Sequence, residues 1–131
     1  MTPKLEHVLL VEDDPDIQEI TRMALEMMGG FKVSACSSGQ EAVDRAPGLQ
    51  PDIILLDYMM PGMDGAVTLA ALRAIPALSG VPVVFVTARA REEDTKAIRQ
   101  LGAVGVIVKP FDPIDLPSQV RSLWEQALGT S

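Results

Sequence analysis

The sequence predicts an α/β fold in which five parallel strands alternate with five helices, a doubly wound (βα)5 sheet. Two observations support this prediction. Five short apolar runs recur along the chain, with helical patterns between them. Several of these runs are continuously apolar rather than alternating, which is typical of parallel strands covered by helices on both faces. With 131 residues, 47% of them hydrophobic, the chain has the size and composition of one domain.

Each predicted strand coincides with one apolar run of strand length. The runs IILL at 53–56 and VVFV at 83–86 contain no polar residue. Successive parallel strands require right-handed crossovers, which the intervening helices supply. The predicted strands comprise residues 7–11, 31–36, 52–56, 81–86 and 105–108.

Cap signals predict where three of the helices begin. Asp and Ser side chains accept hydrogen bonds from the first free amides of a helix, and Pro suits its first position. A Ser followed three residues later by Glu forms a capping box. The cap signals are Asp14-Pro15, Ser38 with Glu41, and Asp112-Pro113.

Apolar stripes predict the buried faces of the first and last helices. The first stripe, which ends before Gly29-Gly30, consists of Ile17, Ile20, Ala24, Leu25 and Met28. The last stripe consists of Leu116, Val120, Leu123, Trp124 and Ala127. We expect Trp124, Met27, Met28 and Met60 to be buried or partly buried for the same reason.

The charge balance disfavours several classes of function. Eighteen acidic and eleven basic residues give a net charge of −7, which repels nucleic acid and anionic lipid surfaces. No stretch approaches the roughly 20 apolar residues that span a bilayer, and residues 1–7 lack a signal-peptide core. The single cysteine, Cys36, excludes an internal disulfide. We therefore expect a cytoplasmic protein that binds neither nucleic acid nor membrane directly.

Polar side chains end or follow four of the predicted strands. Each has a structural explanation when taken alone, because acids favour helix N-termini and a loop Asp or Lys is usually solvated. In an open parallel sheet, however, the carboxyl ends of the strands meet at the edge where ligands bind. The residues at this edge are Glu12, Asp13 and Asp14 after the first strand, Asp57 after the third, Thr87 at the end of the fourth, and Lys109 after the fifth.

Together these side chains predict a metal-dependent phosphoryl-transfer site. Two carboxylates about 4 Å apart repel by roughly 4 kcal/mol at an effective dielectric near 20, and a cation relieves this repulsion. Oxygen ligands without His or Cys favour a hard ion, so Mg²⁺ is expected, with Mn²⁺ as a substitute. A carboxylate can also attack phosphorus to form an aspartyl phosphate. Lys109 and Thr87 would then supply a positive charge and a hydroxyl donor to the phosphoryl oxygens.

Four motifs resemble the receiver domains of two-component response regulators. They are LLVEDD at 9–14, DYMMPGMDG at 57–65, VTA at 86–88 and VKPF at 108–111, in that family's order and spacing. The resemblance covers about residues 5–128, so residues 1–131 are interpreted as a single, CheY-like receiver domain. It implies the flavodoxin-like fold with strand order 2-1-3-4-5.

The resemblance also implies the roles of individual residues. Asp57 would be the phosphoacceptor, with Mg²⁺ held by Glu12, Asp13, Asp57 and the backbone carbonyl of Met59. Thr87 and Lys109 would contact the phosphoryl group. The peptide bond that joins Lys109 to the following proline is expected to be cis, as is typical of the family.

One position departs from the pattern of the family. Many members have Tyr or Phe where this chain has Val106, and that aromatic turns inward when the Thr moves toward the phosphate. We hypothesise that coupling to the output face is therefore weaker or different. Met59 and Arg89 occupy positions that tune dephosphorylation in the family, and Arg89 is as consistent with a solvated loop side chain as with a phosphate contact.

The function that the resemblance implies is a phosphorylation switch rather than a conventional enzyme. A histidine kinase or a histidine phosphotransfer protein would donate the phosphoryl group to Asp57, and the protein would support its own phosphorylation and autodephosphorylation. A downstream protein would bind the fourth helix, fifth strand and fifth helix of a monomer or weak homodimer. Two alternatives remain open: a phosphate-independent interaction module of the same fold, and a Mg²⁺-dependent phosphohydrolase, although Tyr58 and Met59 leave no second acid after Asp57. The chain is either a stand-alone regulator or the receiver of a longer protein.

Overall fold

The computed structural model describes residues 4–88 and 91–129, and in them the predicted (βα)5 fold is confirmed. All strand pairs are parallel, and the strands lie in the order β2-β1-β3-β4-β5. The strands are β1 (His7–Val11), β2 (Lys32–Cys36), β3 (Ile53–Asp57), β4 (Val83–Thr87) and β5 (Gly105–Val108). The helices are α1 (Pro15–Met23), α2 (Gly39–Leu49), α3 (Gly65–Arg73), α4 (Glu92–Gln100) and α5 (Leu116–Gly129).

The predicted bounds of β1 and β5 were correct, but the predicted starts of the other three strands lay too close to the N-terminus. Each of β2, β3 and β4 begins one or two residues later than the apolar run that predicted it. The difference matters at one end of the sheet, because Asp57 is the last residue of β3 rather than the first residue after it. Its backbone is therefore held in the ladder, where Asp57 pairs with Val86 of β4.

Two hydrophobic cores lie on opposite faces of the sheet. One contains residues of α2, α3 and α4, among them Ala42, Leu69 and Ile98. The other contains residues that directly follow α1 and residues of α5, including Leu25 and Trp124. All five residues in each of β1, β3 and β4 are buried, as expected for central strands with both faces covered.

The cap predictions were correct for the first two helices, and the third signal lies in the turn that leads into the last helix, where the Leu116 amide donates to the Asp112 carbonyl. Asp14 accepts hydrogen bonds from two amides of the first turn of α1, and the Ser38 hydroxyl accepts one from the Glu41 amide. The Asp112 carboxylate instead accepts from the Ile114 amide, in a turn that precedes α5. The helix begins at Leu116, so Asp112 shapes the turn and does not cap α5 directly.

The predicted burial of the first helix was wrong in part. After Met23 the helix continues as a π-helical turn, Ala24–Met28, which changes the angular position of its last residues. Ala24 and Leu25 are buried, but Ile20, Met27 and Met28 are 51%, 77% and 54% exposed. Trp124 and Met60 are buried as predicted, and Cys36 is buried as well.

Candidate functional site

A cluster of three carboxylates lies at the carboxyl end of the central strands. Glu12 directly follows β1, Asp13 comes next, and Asp57 ends β3. One oxygen from each of the three lies within 4.8 Å of the others. Glu12 and Asp57 are buried, with 3% and 4% of their surfaces exposed, and Asp13 is half-buried. The structure thus brings together three of the four acidic residues that the strand-end pattern predicted, whereas Asp14 caps α1.

Lys109, from the loop after β5, lies against two of these carboxylates. Its ammonium is 2.7 Å from Glu12 Oε1 and 3.2 Å from Asp57 Oδ2. The Lys109 amide donates to the Thr87 carbonyl at 2.8 Å, which anchors the loop to the end of β4. The peptide bond between Lys109 and Pro110 is cis, as predicted. Lys109 is the cation that partly neutralises the cluster.

Three carboxylates and the Lys109 ammonium leave this cluster with excess negative charge, and two of the acids are buried. Burial raises the pKa of Glu12 to about 7, even though the hydrogen bond from Lys109 acts in the opposite direction and Asp57 adds to the rise. Burial alone would lower the pKa of Lys109, but its hydrogen bond to Glu12 and the charges of both acids outweigh burial and raise it. Because one ammonium cannot neutralise three carboxylates, a further cation would stabilise the cluster.

Thr87 is buried at the end of β4, at the same edge of the sheet as Asp57 and Lys109. The next residue, Ala88, is exposed. Ala88 and Lys109 line one end of an apolar cavity of about 360 Å³, whose other walls include Ile17, Ile20 and Phe111. Arg89, which the sequence singled out, lies outside the described residues.

Two residues that shape the site were missed by the sequence analysis. Gly65 donates its amide hydrogen to the Tyr58 carbonyl at 2.9 Å, and a Cβ built there would lie 2.7 Å from the Tyr58 Cα atom. The Asp64–Gly65 pair at a helix start was a usable signal for this close approach. The side-chain amide of Gln18 hydrogen-bonds to the Glu12 carbonyl, and no local sequence pattern indicated this contact.

The donor set fits a hard divalent cation. The three carboxylates offer oxygen atoms, and no His or Cys lies among them. The Met59 backbone is close to the cluster, because the Met59 amide donates to Asp57 Oδ1 at 3.2 Å, while the Met59 side chain is 60% exposed. Glu12, Asp13 and Asp57 are therefore residues that could hold Mg²⁺.

The sequence model of the response regulator receiver domain matches residues 8–121, which include every residue of this cluster. The chain belongs to the response regulator receiver family. Members of this family are phosphoacceptor switches in two-component signalling rather than classical enzymes, and they typically use Mg²⁺. The recognition made from the four sequence motifs is thereby confirmed, as is the function class that it implied.

Relatives of known structure and sequence agree with this assignment. The chemotaxis protein CheY4 of Vibrio cholerae superposes with a TM-score of 0.85 at 28% identity, covering 92% of this chain and 99% of that one. The receiver domain of a histidine kinase from Syntrophus aciditrophicus gives 0.80 at 31% identity, covering 96% and 95%. The transcriptional regulatory protein CseB of Streptomyces coelicolor is 40% identical over 117 residues, which are 89% of this chain and 48% of the relative. The chain spans about half the length of the curated relatives it matches.

Proposed function

We propose that this receiver domain accepts a phosphoryl group on Asp57 and that Glu12, Asp13, Asp57 and the Met59 carbonyl hold Mg²⁺ for that reaction. The observation that supports this most directly is the buried Asp57 carboxylate, which lies within reach of two further carboxylates and 3.2 Å from Lys109. Mg²⁺ offsets charge on the phosphoryl oxygens during transfer, and Mn²⁺ would substitute for it.

The proposed reaction uses the carboxylate of Asp57 as the nucleophile. An oxygen of Asp57 attacks the phosphorus of a phosphohistidine, and the bond from phosphorus to nitrogen breaks with its electron pair remaining on the imidazole. The product is an aspartyl phosphate. The Lys109 ammonium moves its contact from the free carboxylate to the phosphoryl oxygens, and the Thr87 hydroxyl donates a hydrogen bond to them. Attack of water on the phosphorus breaks the bond to the Asp57 oxygen, releases inorganic phosphate and regenerates the carboxylate, which constitutes autodephosphorylation.

The proposed donor is a histidine kinase or a histidine phosphotransfer protein. Its docking surface would be the apolar cavity that begins at Ala88 and Lys109 and continues along α1 through Ile17 and Ile20. Ile20 is 51% exposed, and contact with a donor would remove this side chain from water. A donor seated there would place its phosphohistidine at the edge of the sheet that carries Asp57 and Lys109.

The proposed output surface consists of α4, β5 and α5. Val106 is half-buried on β5 and packs against the core under α4, and it also lines a cavity of about 550 Å³ that extends over Val108 and Leu123. No aromatic ring fills this position, so a paired movement of Thr87 and an aromatic cannot transmit the signal. Phosphorylation would shift the population of conformations at this face by a different rearrangement, and a downstream protein would bind one of them.

The remaining parts of the proposal concern the molecule as a whole. We propose that residues 1–131 form one receiver domain that acts in the cytoplasm as a monomer or weak homodimer. No described helix, in residues 4–88 or 91–129, is long and apolar enough to cross a membrane. The net charge of −7 disfavours direct contact with nucleic acid and favours a partner with a basic surface.

The test of this function is intact-mass measurement after incubation with acetyl phosphate. The wild type should gain one phosphate in the presence of Mg²⁺ and none after chelation, and Asp57→Ala should gain none. Asp64→Ala is the matched control, because Asp64 is an exposed helix cap near the site and has no role in the proposed chemistry. An adduct on Asp57→Ala, or no adduct on wild type with any small phosphodonor, would refute the assignment of Asp57.

A further inference from the structure

Gln18 joins the first loop of the metal site to its neighbour. This residue lies in the first turns of α1, and its side-chain nitrogen donates to the Glu12 carbonyl at 2.9 Å and to the Cys36 carbonyl at 3.2 Å. The Ser37 hydroxyl is a third contact, at 3.3 Å. One half-buried amide group therefore bridges α1, the end of β1 and the end of β2.

These contacts fix the backbone that carries two of the three acids. The Glu12 amide donates to the Cys36 carbonyl at 3.0 Å, so the Cys36 oxygen accepts from both Glu12 and Gln18. The Glu12 carbonyl belongs to the peptide unit that leads into Asp13, and Gln18 is the described side chain that holds it. Because the backbone amide and the backbone carbonyl of Glu12 are both hydrogen-bonded, the orientation of the peptide unit between Glu12 and Asp13 is restricted.

The far side of this bridge is itself anchored. The Ser37 amide donates to the Glu41 carboxylate at 2.7 Å, which ties the end of β2 to the first turn of α2. Gln18 thus connects the acidic loop to a part of the backbone that is already held by another helix. A side chain with only a packing role in α1 would not be expected to hydrogen-bond to two backbone carbonyls from different strand ends.

We propose that Gln18 is a positioning residue for the metal site, which acts by holding the peptide between Glu12 and Asp13. The inference rests on the proposed role of these two acids as Mg²⁺ ligands. Side chains that orient metal ligands through hydrogen bonds typically change metal affinity by about 10–100-fold when they are lost. The described hydrogen bonds of Gln18 reach two backbone carbonyls and the Ser37 hydroxyl rather than a carboxylate, so its loss should weaken metal binding and leave the chemical step intact.

The test compares Gln18→Met with Gln40→Met. Methionine has nearly the same length as glutamine and cannot donate. Gln40 is also a helical glutamine, but its described hydrogen bond goes to the exposed Asp44, one turn away on the same helix. Calorimetric titration with Mg²⁺ alone should give a dissociation constant about tenfold higher for Gln18→Met than for wild type, and an unchanged one for Gln40→Met.

A kinetic measurement separates positioning from general damage to the fold. With acetyl phosphate as donor, the Mg²⁺ concentration for half-maximal phosphorylation should rise about tenfold in Gln18→Met, whereas the rate at saturating Mg²⁺ should stay within about twofold of wild type. Gln18→Leu, which is also uncharged and cannot donate a hydrogen bond, should behave in the same way if Gln18→Met does not fold.

The outcomes distinguish this inference from the proposed function. An unchanged Mg²⁺ affinity in a folded Gln18 variant overturns the positioning role while the metal site stands. A fall in the saturated rate with unchanged affinity also overturns it. If wild-type protein binds no Mg²⁺, both the metal site and the role of Gln18 are refuted, and the titration of wild type alone shows this.

Discussion

Replacing Lys109 with methionine tests whether this side chain acts as the internal counter-ion of the acidic cluster. Its ammonium is 2.7 Å from Glu12 and 3.2 Å from Asp57, and only 17% of the Lys109 side chain is exposed. Removing one partner of a fully buried ion pair costs about 3–5 kcal/mol. Glu12 can take up a proton near neutral pH, because its pKa is raised to about 7. We therefore expect Lys109→Met to lose about 2 kcal/mol of stability without divalent ions, below the fully buried range.

Mg²⁺ should reverse part of this loss. A unit charge 4 Å away contributes about 4 kcal/mol at an effective dielectric near 20, so removal of the ammonium also removes repulsion from the site of the incoming metal. Because Mg²⁺ is divalent, the repulsion is about twice this value. If about a sixth of it survives screening, Mg²⁺ binds Lys109→Met about tenfold more tightly, which corresponds to about 1.4 kcal/mol. At saturating Mg²⁺ the difference in stability from wild type should then fall below about 1 kcal/mol.

The assay is urea unfolding followed through the fluorescence of Trp124, which is buried in the folded protein. Wild type and Lys109→Met are compared with a chelator and with saturating Mg²⁺, and Lys96→Met serves as the control because Lys96 is exposed on α4. Lys109→Met should also lose most phosphorylation, which separates metal binding from transfer. Equal stabilities in chelator, or stronger stabilisation of wild type by Mg²⁺, would contradict the proposed role of Lys109.

Three further predictions concern other parts of the molecule. Gly65→Ala should destabilise the protein by about 1–3 kcal/mol and slow phosphorylation of Asp57, because its Cβ would collide with the Tyr58 backbone; unchanged unfolding and phosphorylation would contradict this. Burial raises the pKa of the Cys36 thiol from 9.0 to about 11, so the unfolded chain loses this proton at a lower pH than the folded protein does. The stability of wild type relative to Cys36→Ala should therefore be constant below pH 9 and fall between pH 9 and 11. Urea unfolding at each pH measures this difference, and a constant value would refute the prediction. Val106→Tyr should change the amide shifts that phosphorylation induces in α4, β5 and α5, and patterns identical to those of wild type would remove Val106 from the account of signalling.

The sequence by itself determined the fold class and selected residues that the structure brings to one edge of the sheet. Continuous apolar runs separated by helical patterns suffice to predict a parallel sheet. In such a sheet the carboxyl ends of all strands lie at one edge. Glu12, Asp57, Thr87 and Lys109 could be selected for this reason, and the structure places them together at that edge. Their chemical roles remain predictions, because proximity alone does not show transfer.

The tertiary structure decided the features that depend on distant contacts. The contact of Gln18 with the Cys36 carbonyl spans 18 positions in sequence, and the ion pair of Lys109 with Glu12 spans 97. The exposure of Met27 was also invisible in the apolar pattern, because Met27 lies in a π-helical turn, whose side chains do not follow the angular spacing of an α-helix. Local sequence specifies periodicity and caps, but the position of a side chain also depends on the segments that pack against it, and these are known only once the chain has folded.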